Sequence, residues 1–391
     1  MNKFIATVAI LLLSCLALGS CQNKSEESEK GRVIHVDIEP QEVAVEDLFD
    51  RIEVVPLETN DSSLIYFIYN SCVSDSDIYV QDFRAMVVYR FGADGKFKNR
   101  IGRIGQGPGE FSLAYGFDRS QYNDHIYIIS AFGKVHEYTP AGEFIEDYNL
   151  PRRPAYHNIK LIDDSTFMTW SSSDFGEEPV TVLNADFDSV LYLPQMSNHL
   201  ADISYSDPNF FNFEDLLHIG LCYNRKVYAI TRDSTYVEYE WDFGERNLPE
   251  EVLTKHDIDP NSVSLAEAQD RSEKFHKDLS ITSFLYGHGS NGLYDYVTYR
   301  DDSKSNGKDN NLLIHYKVFR DKKTGKNIVF DKLSNGMIIK GPMVMTEDYI
   351  LYQIPWRELP LYEEYLPEGM KLSDIDPDDD NPVLARFYFK K

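Results

Sequence analysis

Short apolar–polar alternations recur along most of this chain. Residues 77–97, "DIYVQDFRAMVVYRFGADGKF", place two alternating runs on either side of a polar break, and the second run enters an Asp-Gly turn. That pattern predicts two short strands and a hairpin. Residues 125–144, "HIYIISAFGKVHEYTPAGEF", repeat the grammar: Ile-Tyr, a break, a strand ending in an aromatic, then Gly and Phe. Gly95 and Gly142 stand 47 positions apart, as do Phe97 and Phe144, and Tyr79 and Tyr127 are 48 apart. Weaker copies follow over 165–193, 225–244 and 292–330, the last with a polar hairpin insertion, and "DYILYQIP" and "ARFYFKK" supply the final strands. Self-similarity at this period, built from short strands, predicts a β-propeller.

The segment "IGRIGQGPGEF", residues 101–111, lies between one unit and the next. There the chain must cross to a new blade, so glycines with positive φ, Gly107 among them, and a stiffening Pro108 are expected. A phosphate-binding loop is excluded, because Glu110-Phe111-Ser112 stands where Gly-Lys-Ser/Thr would open a helix. One stretch breaks the β pattern: residues 247–279 read as a helical insertion between blades, with Ser264 and Glu267 spaced as a capping box. It is expected to cover a blade edge or to form a lid. Spacing from Val33 to the end, less this insertion and hairpin insertions at 301–311 and 357–382, fits six blades. "GRVIHVDI" near the start is a spare strand, expected to pair with the final blade and close the ring, because an open propeller exposes sheet edges. The expected fold is therefore all-β: a six-bladed β-propeller over 33–391 with an N-terminal strand closing it.

Composition narrows the function classes. The chain has 391 residues, 42% of them hydrophobic and 13% aromatic, enough for a real core and suited to strands. A net charge of −25 argues against nucleic acid and against docking on an anionic membrane through basic patches.

The N-terminus reads as an address. Lys3 precedes the apolar run "FIATVAILLLSCLALGS", too short for a lasting membrane span, and the run ends in Leu18-Gly19-Ser20-Cys21. This resembles the bacterial lipobox, which implies a signal peptide over 1–20 and a lipid on Cys21. The acidic, polar residues 21–32 then read as a flexible tether. Gln22 directly after the cysteine points to the outer membrane, with the periplasmic or surface side open. Of the remaining cysteines, Cys72 and Cys222 sit in apolar, strand-like surroundings that favour buried free thiols over a bridge.

With "IGRIGQGPGEF" followed by "DHIYIISAFGKVHEYTPAGEF", the units resemble NHL-type repeats. Together with the lipobox, "IEVVPLET" and "DSTYVEYEWDFGERNLP", the chain resembles the six-bladed β-propeller lipoproteins of unknown function from Gram-negative envelopes. The resemblance implies a fold and an address, and no agreed activity.

Chemistry is sparse. The ten histidines form neither HExxH nor any pair at metal-ligand spacing, and neither CxxC nor GxSxG occurs. "GHGSNG", around His288 and Ser290, reads as a Gly-rich loop, since no partner acid or base is identifiable in sequence. "DIDPDDDNP" from Asp374 echoes a calcium loop, but Asp379 stands where Gly is needed and Ala385 where Glu is needed. Weak calcium association is expected from the acidity, and no cofactor. Propellers bind where blade loops converge, so Arg84, Arg103 and Gln106 are candidate rim residues, and Trp170 and Trp241 are candidate stacking platforms for sugars. The expected function is a binding module for a glycan, a peptide or a partner envelope protein. The rival is an enzyme resembling the lyase or lactonase propellers that hold a metal in the central channel.

Overall fold

A computed structural model describes residues 31–391 apart from 83, 131–132, 152–155, 172–179, 188–189, 193–208, 257–266, 268–269, 271–273, 275–283, 302–313 and 340–342. It is a six-bladed β-propeller. Blade I contains β3 (Ile68–Val73), β4 (Asp77–Asp82), β5 (Val88–Gly92) and β6 (Phe97–Ile101). Blade II contains β7 (Ala114–Arg119), β8 (Ile126–Ser130), β9 (Lys134–Tyr138) and β10 (Phe144–Asn149). In blade III these are β11 (Asn158–Asp163), β12 (Thr166–Trp170), β13 (Val180–Asn184) and β14 (Val190–Tyr192). Blade IV runs through β15 (Asn209–Phe213), β16 (Leu216–Gly220), β17 (Lys226–Ile230) and β18 (Thr235–Asp242). Blade V follows with β19 (Phe284–Ser290), β20 (Tyr294–Asp301), β21 (Ile314–Asp321) and β22 (Asn327–Phe330). Blade VI takes β23 (Val344–Met345), β24 (Tyr349–Gln353) and β25 (Val383–Phe389) from the C-terminal end and β2 (Phe49–Pro56) from the N-terminal end.

An N-terminal strand thus closes the ring, through antiparallel pairing of β2 with β25 from Phe49↔Phe389 to Pro56↔Val383. It is not "GRVIHVDI". That segment begins β1 (Arg32–His35), which pairs in parallel with β18 and adds a fifth strand to blade IV. Both segments are apolar and β-branched, and only the edge each one meets decides its partner. After β1 the chain runs as a strap along the rim: Val36 and Ile38 bury between blades IV and V, and Gln41 N–H donates to Val329 O at 2.7 Å. A short helix α1 (Val45–Leu48) then leads into β2.

Six clusters of buried apolar side chains hold the ring, one between each pair of neighbouring blades. Stacked blades bury both faces of each sheet, which explains the dense aromatics of the sequence. The 47-residue glycine spacing has a specific cause. Gly95 and Gly142 sit in the outer hairpins of blades I and II with φ of +83° and +85°. A Cβ at Gly95 would lie 2.2 Å from Pro56 O, and one at Gly142 would lie 2.6 Å from Arg100 O. Each hairpin abuts the end of the preceding blade's outer strand, where only glycine fits.

Between blades IV and V the expected helical insertion begins with α2 (Glu250–His256). Glu267, Asp270 and Lys274 are also helical, whereas Ser264 and most of the remainder lie outside the described residues. Cys72 and Cys222 lie in different blades and form no disulfide with each other. Among the described residues no helix is long and apolar enough to cross a membrane.

Candidate functional site

In a four-stranded meander, the turn between the second and third strands and the crossing to the next blade fall at the same end. That end gathers 57–67, 83–87, 102–113 and 354–382 on one face of the propeller. Two buried polar side chains organise its first crossing loop. Asn381 donates to Glu58 O at 2.8 Å and to Ser63 O at 2.7 Å, and accepts the Ile65 N–H at 2.7 Å. Asp82, 1% exposed, accepts four backbone N–H groups: Tyr66 at 2.5 Å, Phe67 at 2.9 Å, Arg84 at 2.9 Å and Ala85 at 2.5 Å. A buried carboxylate surrounded by converging donors fixes the loop and the turn to one another.

The held backbone presents apolar side chains to solvent. Ile65 and Ile68 point into the core, while Leu64, Tyr66 and Phe67 are 50%, 66% and 59% exposed. The Arg84 guanidinium lies 4.2 Å over the Tyr66 ring. Arg100 donates to Ser62 O at 3.3 Å and reaches the same loop. Rigid, exposed aromatic and arginine side chains are the residue types that dominate binding energy at interfaces.

The residues singled out from the sequence divide between this face and the core. Arg84 is in the patch. Arg103 and Gln106 occupy the next crossing loop of the same face, where Arg103 pairs with Glu110 at 2.5 Å. The Gly107 N–H donates to Glu110 at 2.8 Å. Those backbone donors, chiefly Gly107, and the neighbouring Arg103 hold the Glu110 carboxyl below its usual range. Gly107 does not use positive φ; Gly102 and Gly109 do, at +78° and +67°. Trp170 and Trp241 are not stacking platforms: they are 1% and 0% exposed, packed among blade-core side chains, and offer no ring face to a sugar. Cys21 lies outside the described residues.

Leu64, Tyr66, Phe67 and Arg100 were not anticipated. "LIYFI" reads as a buried strand, and the available signal was its run of five apolar residues, longer than alternation allows.

Away from this face, several polar side chains pair with one another across blades. Asp118 accepts the Leu161 N–H at 2.9 Å and meets Lys160 Nζ at 3.2 Å, tying blade II to blade III. Desolvation beside the inner strands, with the Asp118 charge nearby, pushes the Cys72 thiol up to about 12, which disfavours its thiolate. Ser290 has partners that sequence spacing could not identify: its hydroxyl donates to Asp295 and accepts from Lys322, each at 2.8 Å. Asp295 is also bound by Arg32 at 2.5 Å, and both Ser290 and Asp295 are buried. The serine's proton is committed to a carboxylate already neutralised by two cations, an arrangement that ties β1, at the edge of blade IV, to blade V. Among the described residues no group of three or more His, Cys, Asp or Glu side chains gathers as a metal site would require.

The fold has solved counterparts. One is a "Putative exported protein" from Bacteroides fragilis, with TM-score 0.69 at 17% identity over 92% of this chain and 100% of the other. A member of the duf4221 family from Bacteroides vulgatus aligns with TM-score 0.52 at 11% identity, over 88% of this chain and 97% of the other. A comparison with curated proteins finds no match. A family profile described as "Domain of unknown function (DUF4934)" matches residues 32–388, from β1 through nearly all of β25, and the chain belongs to that family.

Proposed function

We propose that this protein is a lipid-anchored binding module of the bacterial outer membrane, holding its ligand on the face where the crossing loops converge. The observation that carries the reading is the patch of Leu64, Tyr66, Phe67 and Arg84, exposed yet fixed from below by Asp82 and Asn381. A loop that served only to connect strands would gain nothing from an organised backbone and exposed rings. The lipobox-like Leu18–Cys21 and the fold shared with a "Putative exported protein" support an envelope address, and the NHL-like units fit a scaffold for binding. The ligand is a glycan, a peptide or a partner envelope protein.

The test is a binding screen of the purified full chain against envelope glycans and envelope protein fractions, run beside Tyr66→Ala and Phe67→Ala. Saturable binding by the wild type, weakened at least tenfold in both variants at unchanged melting temperature, is expected. Binding that both variants retain would move the site elsewhere, and absence of any binding would remove the reading.

A further inference from the structure

We infer that the occupant of this patch is a polypeptide segment whose apolar side chains are flanked by Asp or Glu carboxylates; the inference rests on the binding-module reading and names its partner class. Charge is the first argument. The chain carries −25, and among the described residues ten arginines are ion-paired with carboxylates. Arg84 and Arg100 differ. Among the described residues Arg84 is held by the Tyr66 ring, and Arg100 by Ser62 O and the Tyr89 ring, with no carboxylate on either. In a protein with such an excess of acid, two guanidiniums left without counter-ions beside the same exposed loop leave an electrostatic match for a partner to complete.

Shape is the second argument. Leu64, Tyr66 and Phe67 are each at least half exposed, so they project and a partner must wrap around them, as a flexible polypeptide segment can. One face of the Tyr66 ring is already covered by Arg84, which leaves less open ring surface for a flat-lying sugar. A planar anionic membrane fits less well than a protein. The insertion at 354–382 shares this face and carries Glu363, Glu364, Asp374, Asp376, Asp378 and Asp379, which a flat approach would press against like charge. A protein surface can place its carboxylates over Arg84 and Arg100 alone.

The experiment selects a phage-displayed random dodecapeptide library on the full chain, purified in detergent. It is run in parallel with phosphatidylglycerol vesicles and with neutral envelope glycans as competing probes. Enriched peptides should carry apolar residues flanked by Asp or Glu. Their affinity should fall at least tenfold with Arg84→Glu or with Tyr66→Ala, and should fall with rising salt. Lysine in place of the peptide acid should restore binding to Arg84→Glu, a rescue that misfolding cannot produce; Arg84→Gln serves as the milder variant. Enriched peptides without acidic residues, or peptide binding indifferent to Arg84→Glu and Arg100→Glu, would overturn the inference. Tyr66-dependent binding of only vesicles, only glycans or a second copy of this chain would overturn it too, yet leave the binding-module reading standing. No binding to any probe would count against both.

Discussion

The Asp82 carboxylate accepts the Tyr66 backbone N–H at 2.5 Å, so a buried residue of one strand end holds the most exposed aromatic of the neighbouring loop. Asp82→Ala would leave four donors without their acceptor. A loss of at least about 2 kcal/mol is expected in urea denaturation, with weaker ligand binding. Asp82→Asn, which keeps one acceptor oxygen, should cost less. A stable Asp82→Ala protein that still binds would show that the loop is held by other means.

The two kinds of glycine in the blade connections should separate cleanly. Gly95→Ala places a Cβ against Pro56 O at a positive φ and should cost about 2 kcal/mol or more. Gly107→Ala meets only the flexible Glu110 carboxylate, at 3.2 Å, and should cost less than about 1 kcal/mol. Paired thermal melts check this, and equal losses would contradict the assignment of Gly95 to blade contact.

Asp295 is buried and holds Arg32 and Lys322 together. Asp295→Ala strands a half-buried lysine and should cost about 3–5 kcal/mol. Arg32→Ala should cost less, because its side chain is 30% exposed, but should release the strap to earlier proteolysis between residues 32 and 48. Unchanged cleavage of Arg32→Ala would show that the apolar contacts of Val36 and Ile38 suffice alone.

Stability should decline in mild acid. Burial pushes His218 down to about 4, with Lys322 also disfavouring its charge and Leu216 O and Asp295 favouring it; burial likewise pushes His288 to about 3. A histidine depressed in the fold and ordinary when unfolded, near 6.5, contributes fully above that value. Its contribution is lost progressively as pH falls from about 6.5 toward the folded value. Below about 4, Glu137 adds to the loss: burial raises its pKa, but hydrogen bonds from Tyr148, His125 and Tyr127 outweigh that and leave it lowered. Denaturation midpoints from pH 7 to 4 should fall, and His218→Phe should flatten the slope. A flat wild-type profile would contradict the burial of both rings.

Labelling cells with a palmitate analogue should mark the wild type, and Cys21→Ala should abolish the label. Label persisting on that variant would rule out the lipid anchor.

The blades were legible where strand, turn and glycine recur at fixed spacing, as in 77–97 and 125–144, because each unit meets its predecessor in the same way. The closing strand was not. "GRVIHVDI" and Phe49–Pro56 carry similar local patterns, and their partners, β18 and β25, are chosen by which edge is left open far along the chain. Trp170 and Trp241 misled for a related reason: an aromatic's exposure depends on the neighbouring blade. The patch was hidden because Tyr66 and Phe67 sit in an apolar run whose backbone bends away from a strand only when Asp82 captures its N–H groups.

Glu53, in the closing strand β2, accepts a hydrogen bond from Tyr388, 335 positions later. During synthesis β2 therefore precedes its partner by more than three hundred residues and stays unpaired until β25 is made. For that interval the nascent chain carries an adhesive apolar segment and cannot finish its ring. Ring closure is thus the most non-local event in the fold, and it depends on the seven-residue strand β25 finding β2.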